Sequence, residues 1–187
     1  MVMQLIAIGT SLGGTAALQI LLPMLPPDLD VAVVLVFHRA QGSDETLMKF
    51  LRKYCRLPVE QAEDKTPIHT RHLYFAPADY HLLVEGDHFA LSTEAAVSFA
   101  RPSIDVLFES VAETYGETAV GVVLSGAGHD GAAGLAAIKQ RGGLTLVQSP
   151  ASAQSSHMPD AAIATGKVDR ILSVEEIVPF LTKWQHK

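Results

Sequence analysis

Cysteine is nearly absent. Cys55 is the one thiol, so neither an intrachain disulfide nor an all-cysteine metal cage can form, and a reducing compartment, the cytoplasm, is expected. No apolar run approaches the roughly 18 residues of a membrane helix, and no basic segment with a cleavage site opens the chain, so neither membrane insertion nor secretion is predicted. Basic charge is scarce as well: 14 Lys and Arg stand against 20 Asp and Glu, a formal charge of −6. No broad cationic face follows from that balance, and nucleic acid is not an expected partner. Charged residues make up only 18% of the chain while 48% is hydrophobic, which supplies a core and excludes disorder. With 187 residues and no repeat, low-complexity stretch or linker-like shift, one domain spanning 1–187 is expected.

Apolar runs rich in Val, Ile and Leu cover 4–8, 31–37, 119–124, 144–148 and, more weakly, 168–172. They are continuous rather than alternating, as strands buried on both faces are. Helical patterns fall between them. Residues 14–22 are Ala- and Leu-rich and stop at Pro23; 43–55 opens on Asp44 and Glu45 and closes on Arg52 and Lys53, matching the helix dipole. Others start at Ser103, span 132–141 before Gly142-Gly143, and begin at Ser173 with Glu176 at capping-box spacing. This alternation predicts an α/β fold, a doubly wound and mainly parallel sheet with helices on both faces. The runs 73–76, 81–84 and 88–92 are short and turn-bounded, and read as a small antiparallel hairpin insertion.

Ligands of such sheets bind beyond the carboxyl ends of the strands. The first strand ends in Gly9-Thr10-Ser11-Leu12-Gly13, a G-x-S-x-G turn that exposes a serine hydroxyl near the amides of a helix N-terminus. A plain small-residue turn with Ser11 as an N-cap fits the same letters. A serine nucleophile needs a base and the base an orienting acceptor; His38 ends the second strand, and Asp130 lies in the glycine-rich loop after the strand at 119–124. His129 and His157 are alternative bases, and Asp130 could simply cap the helix at 132. The same loop spells G-x-G-x-x-G from Gly126 to Gly131, but the acidic residue of a dinucleotide site is missing where the next strand ends at Gln148-Ser149-Pro150. His69, His72, His81 and His88 form no metal-ligand spacing. No metal and no cofactor are expected, and Cys55 reads as a buried small hydrophobe.

These residues belong to a longer pattern. The stretch 6–15, the strand ending at His38, Leu73-Tyr74-Phe75-Ala76-Pro77 with His81-Leu82, Arg101-Pro102-Ser103-Ile104-Asp105 through Phe108, the segment from Gly121 to Ala132, and Met158-Pro159 with Ala161-Ala162-Ile163 resemble the catalytic domain of CheB, the protein-glutamate methylesterase of bacterial chemotaxis. The resemblance implies a catalytic triad of Ser11, His38 and Asp130, and a glutamate γ-methyl ester on a methylated chemoreceptor or related signalling protein as substrate. Glutamine deamidation is an implied second activity. The chain departs from the pattern beside the triad, with Leu12 for Thr, Phe37-His38-Arg39 for Gln-His-Met, and Ala127 for Met. The family's receiver domain is not in the sequence, so any response regulator is expected to act in trans. A serine hydrolase of another ester or amide, and an inactive receptor-binding adaptor, are the competing expectations.

Overall fold

The structure, a computed structural model, describes residues 4–39 and 42–185. Its strands are β1 (Leu5–Thr10), β2 (Ala32–Phe37), β3 (Val59–Gln61), β4 (Leu73–Phe75), β5 (His81–Glu85), β6 (His88–Ser92), β7 (Ala119–Val123), β8 (Leu144–Gln148) and β9 (Arg170–Leu172). Seven of them form one parallel sheet in the order β3-β4-β2-β1-β7-β8-β9, while β5 and β6 pair antiparallel on their own. The helices are α1 (Gly14–Leu21), α2 (Asp44–Tyr54), α3 (Ile104–Tyr115), α4 (Ala132–Gln140), α5 (His157–Ala164) and α6 (Val174–Gln185).

The central strands are hydrophobic without alternation because both of their faces are covered. Ile6, Ile8, Val33 and Leu35 pack with Leu18 and Leu21 of α1, Leu47 and Leu51 of α2 and Ile177 of α6 on one side of the sheet. Leu5, Ala7, Val34 and Val36 face α3, α4, α5 and the β5–β6 hairpin on the other. The α/β expectation with helices on both faces is met. Charge at the ends of α2 is arranged as the dipole favours, with Asp44 and Glu45 first and Arg52 and Lys53 last. The capping-box spacing at α6 is realised in one of its two bonds: the Ser173 N–H donates to the Glu176 carboxylate at 2.8 Å, while the Glu176 N–H donates to the Ser173 backbone carbonyl at 3.1 Å.

The sheet corrects one expectation. Residues 73–75 do not belong to the hairpin insertion; as β4 they lie between β2 and β3, parallel to both. Leu73, Tyr74 and Phe75 are all buried, as an inner strand requires and a solvent-facing hairpin does not. Two further elements had no sequence signal, the short β3 and the helix α5. Among the described residues no helix is long and apolar enough to cross a membrane.

From β1 the chain runs through α1 to β2 on one side, whereas β7 flanks β1 on the other and leads to α4 on the opposite face. The chain thus leaves β1 and β7 toward opposite faces of the sheet, and the carboxyl ends of these two neighbouring strands form the switch point at which ligands of such sheets bind.

Candidate active site

Ser11 follows β1 directly and His38 follows β2. Thr10 and Phe37 are the last register partners of these strands, and the His38 N–H donates to the Thr10 carbonyl at 3.1 Å, so Ser11 and His38 emerge side by side at a strand spacing of about 4.8 Å. Ser11 then enters a tight turn, its carbonyl accepting from the Gly14 N–H at 2.9 Å. Gly13 in that turn has φ 82°, and a Cβ there would sit 2.5 Å from the Ser125 hydroxyl, so both conformation and space require glycine. Ser11 is half-buried, and its hydroxyl has no hydrogen-bond partner among the described residues.

The turn is tied to the end of β7. The Ser11 N–H and the Thr10 hydroxyl both donate to the Ser125 carbonyl, at 3.0 and 2.8 Å. The Ser125 hydroxyl donates to the Leu12 carbonyl at 2.8 Å and accepts from the Ser155 N–H at 2.9 Å, while its own N–H is held by the Gln148 side chain at 2.8 Å. These buried bonds lock the β1 turn onto the end of β7.

Asp130 meets His38 directly, Oδ2 lying 2.7 Å from Nε2. The carboxylate is only 2% exposed. It accepts three further bonds from the start of α3: the Ile104 N–H on Oδ2 at 2.7 Å, and the Ser103 hydroxyl and Asp105 N–H on Oδ1 at 2.8 and 2.9 Å. Burial pushes its pKa up, but the bonds from His38, the two amides and Ser103 outweigh that and hold it below the usual carboxylate range. Asp130 is thus an ionised acceptor fixed by a helix N-terminus. The other ring nitrogen of His38, Nδ1, has no partner among the described residues.

Asp105 returns the arrangement. Its Oδ1 accepts from the N–H groups of Gly131 and Gly134 at 2.9 and 2.7 Å, so α3 and α4 each carry a carboxylate supplied by the other. Those α4 amides are the ones a dinucleotide pyrophosphate would need; they are already occupied by Asp105, which disposes of the G-x-G-x-x-G pattern in this loop. Burial first, and then the charges of Asp130 and Glu109, push the Asp105 carboxyl up to about 6 against the opposing amides of Gly134 and Gly131.

The structure brings His38 and Asp130 together and sets Ser11 next to His38 in register. His129 is exposed on the cavity wall and His157 lies 3.3 Å from the Ser155 hydroxyl; neither touches Asp130. A cavity of about 460 Å³ opens over His38 and Asp130, walled by Arg39, Arg101, Ala127 and His129. The Arg39 side chain is 7% exposed, paired with Asp44 and bonded to the carbonyls of Phe37 and Ala76 at 3.0 and 2.8 Å. Leu12 is 59% exposed beside Ser11. Among the described residues no cluster of three or more His, Cys, Asp or Glu could hold a metal ion. The supporting Ser103, Asp105 and Ser125 escaped sequence reading, because Ser103 and Asp105 look like ordinary helix-start residues and their partners lie more than 20 positions away.

A family model of CheB methylesterases matches residues 6–181. A relative in Leptospira interrogans, provisionally named protein-glutamate methylesterase/protein-glutamine glutaminase, is 44% identical over 92% of this chain and 90% of its own length. Relatives carrying that name without qualification in Paraburkholderia xenovorans and Yersinia pestis are 42% and 40% identical over 93% of this chain, which spans about half of each, 49% and 51%. The crystal structure of the Thermotoga maritima CheB methylesterase catalytic domain superimposes with a TM-score of 0.94 at 28% identity, covering 98% of this chain and 100% of that one. The chain belongs to the CheB methylesterase family, and by that membership it is a hydrolase.

Proposed function

We propose that the chain hydrolyses glutamate γ-methyl esters on a methylated chemoreceptor, with Ser11 as nucleophile, His38 as general base and Asp130 as its orienting acceptor. The observation that carries this reading is the 2.7 Å contact between His38 Nε2 and the buried, ionised Asp130, made beside the Ser11 turn. Against an ionised carboxylate the imidazole keeps its proton on Nε2, which leaves the Nδ1 lone pair to receive the serine proton. Ser11 Oγ attacks the ester carbonyl carbon as its proton passes to Nδ1. The negative oxygen that forms is stabilised by the amides at the start of α1. Collapse breaks the C–OCH₃ bond, and His38 returns the proton to the departing oxygen as methanol leaves. Water then attacks the acyl-serine as His38 takes one of its protons; collapse breaks the acyl–Oγ bond, that proton returns to Ser11, and the freed glutamate carboxyl gives its remaining proton to solvent. A glutamine amide has the same shape as the ester and follows the same steps with ammonia as leaving group, so glutaminase activity belongs to the proposal, in line with the relatives' names.

The test is methanol release from methyl-labelled receptor. Wild type is expected to turn over and Ser11→Ala to lose essentially all release, a drop on the order of 10⁴ or more. Equal release by the two proteins overturns Ser11 as nucleophile. Hydrolysis of small esters with none from receptor overturns the substrate.

A further inference from the structure

The cavity over His38 and Asp130 has one wall built in an unusual way. Residues 97 to 100 form a minimal hairpin: the Val97 N–H donates to the Ala100 carbonyl at 3.1 Å and the Ala100 N–H to the Val97 carbonyl at 2.9 Å. Both central residues have positive φ, 51° at Ser98 and 62° at Phe99. That is the geometry of a type I′ turn, which favours Asn-Gly and disfavours bulky side chains. A phenylalanine in the left-handed region is a genuine outlier. The ring gains nothing in exchange from its own chain, since Phe99 is fully exposed, the most exposed large hydrophobic among the described residues.

Such a conformation persists only where its surroundings over-determine it, and here they do. Arg101 anchors the base of the turn: its guanidinium donates to the carbonyls of Thr93 and Glu94 at 2.9 and 3.1 Å and pairs with Asp79 at 2.6 Å. Asp79 itself lies in the loop between β4 and β5 with φ 66°. An ion pair and two carbonyl bonds thus hold an exposed aromatic at the mouth of the cavity that His38 and Asp130 line.

The geometry points to Phe99 as the residue that reads the polypeptide around the reacting ester. This rests on the esterase function proposed above and names a specificity determinant for it. A volume of about 460 Å³ is in the range that takes a drug-sized ligand, more than one methyl-ester side chain fills, so residues flanking that side chain enter with it. Most of the wall they meet is polar or small: Arg39, Arg101, His129, Ala127. Phe99 is the large apolar surface at the rim, and it matches an apolar side chain on the substrate segment near the esterified glutamate, where an exposed aromatic becomes a buried anchor. The ring adds affinity for the protein substrate and takes no part in bond breaking.

Phe99→Asn separates the ring from the turn, because Asn tolerates the left-handed region and keeps the hairpin; Phe99→Tyr keeps the ring. Each is compared with wild type on methyl-labelled receptor and on a small glutamate γ-methyl ester, with thermal melts alongside. The expected result is a receptor KM raised about tenfold in Phe99→Asn with kcat within about twofold, small-ester kcat/KM within about twofold, an undiminished Tm, and wild-type values for Phe99→Tyr. A receptor KM for Phe99→Asn within twofold of wild type overturns the inference while leaving the function standing. So does an equal loss on both substrates, which assigns Phe99 a structural role. A wild-type protein that releases no methanol from receptor overturns the function, and this inference with it.

Discussion

Asp130 receives four hydrogen bonds on two oxygens, all from donors: His38, Ser103, Ile104 and Asp105. An amide in its place keeps one oxygen and turns an NH₂ toward the remaining donors. Asp130→Asn should therefore leave the fold recognisable but force the other His38 tautomer, lowering kcat by on the order of 10⁴ and stability by about 2 kcal/mol. Receptor-methanol kinetics and urea unfolding at pH 7 check both, and a kcat within tenfold of wild type would remove Asp130 from the mechanism. The pH dependence has a definite sign. The folded carboxyl titrates below its unfolded value of about 3.9, so its contribution is present above that value and disappears as pH falls through the folded pKa. Between pH 5 and 2.5 wild type should lose more stability than Asp130→Asn, and parallel losses would mean that the carboxylate is not held ionised.

Helices α3 and α4 exchange caps, Asp130 at the start of one and Asp105 at the start of the other, and the exchange sets two buried carboxylates against each other. Asp105 bears the consequence, its carboxyl raised to about 6 by burial and by the neighbouring charges. The sign is opposite to that of Asp130. A raised folded pKa means that the folded state binds the proton more readily, so stability rises as pH falls from above 6 toward the unfolded value near 4. Asp105→Asn keeps the Oδ1 acceptor for Gly131 and Gly134 and resembles the neutral acid; it should be more stable than wild type at pH 8 by on the order of 1–3 kcal/mol and about equal at pH 4.5. Asp105→Ala leaves two buried amides without that acceptor and should lose about 2 kcal/mol at both. Urea midpoints at the two pH values decide, and an Asp105→Asn protein weaker than wild type at pH 8 would show that the charge is stabilising. This exchange also marks where sequence reading stops at the level of elements. Continuous apolar runs located the inner strands, because a strand covered on both faces must be written that way. The run 73–76 has the same character, but its short length and its closeness to the hairpin runs hid its place between β2 and β3. Helix α5 is only eight residues long and carries Pro159 in its first turn, where a proline is tolerated but gives no helical signal. For the candidate site, the sequence places Ser11, His38 and Asp130 in turns that follow strands, and the structure brings His38 and Asp130 into contact, whereas the donors that fix Asp130 come from another helix and leave no local pattern.

Across the molecule, the distance between α3 and the centre of the sheet decides whether those donors reach Asp130. Gly9 lies in β1, paired on both sides with Val36 and Val123, and a Cβ there would overlap the Ile104 side chain. A Cβ at Gly131 would come within 2.8 Å of the same isoleucine, and one at Gly134 within 2.5 Å of Phe108. Glycines in a strand, a loop and a helix thus let the N-terminus of α3 settle onto the sheet between the β1 and β7 loops. Ile104 is the contact that transmits the spacing, since its side chain meets Gly9 and its N–H donates to Asp130 at 2.7 Å. Gly9→Ala should cost about 1–3 kcal/mol as overpacking and reduce kcat by lifting the Ile104 amide from the carboxylate. Ile104→Ala, which empties a fully buried site, should cost about 2–5 kcal/mol. In the double variant the methyl introduced by Gly9→Ala enters the space that Ile104 vacates, so the two costs should fall short of their sum by about 1 kcal/mol or more, and kcat should exceed that of Gly9→Ala alone. A thermodynamic cycle from urea unfolding, with kcat measured on the same four proteins, tests this. Strict additivity in both would mean that α3 finds its place without Gly9, and that the sheet's central strand carries Ser11 but has no part in positioning Asp130.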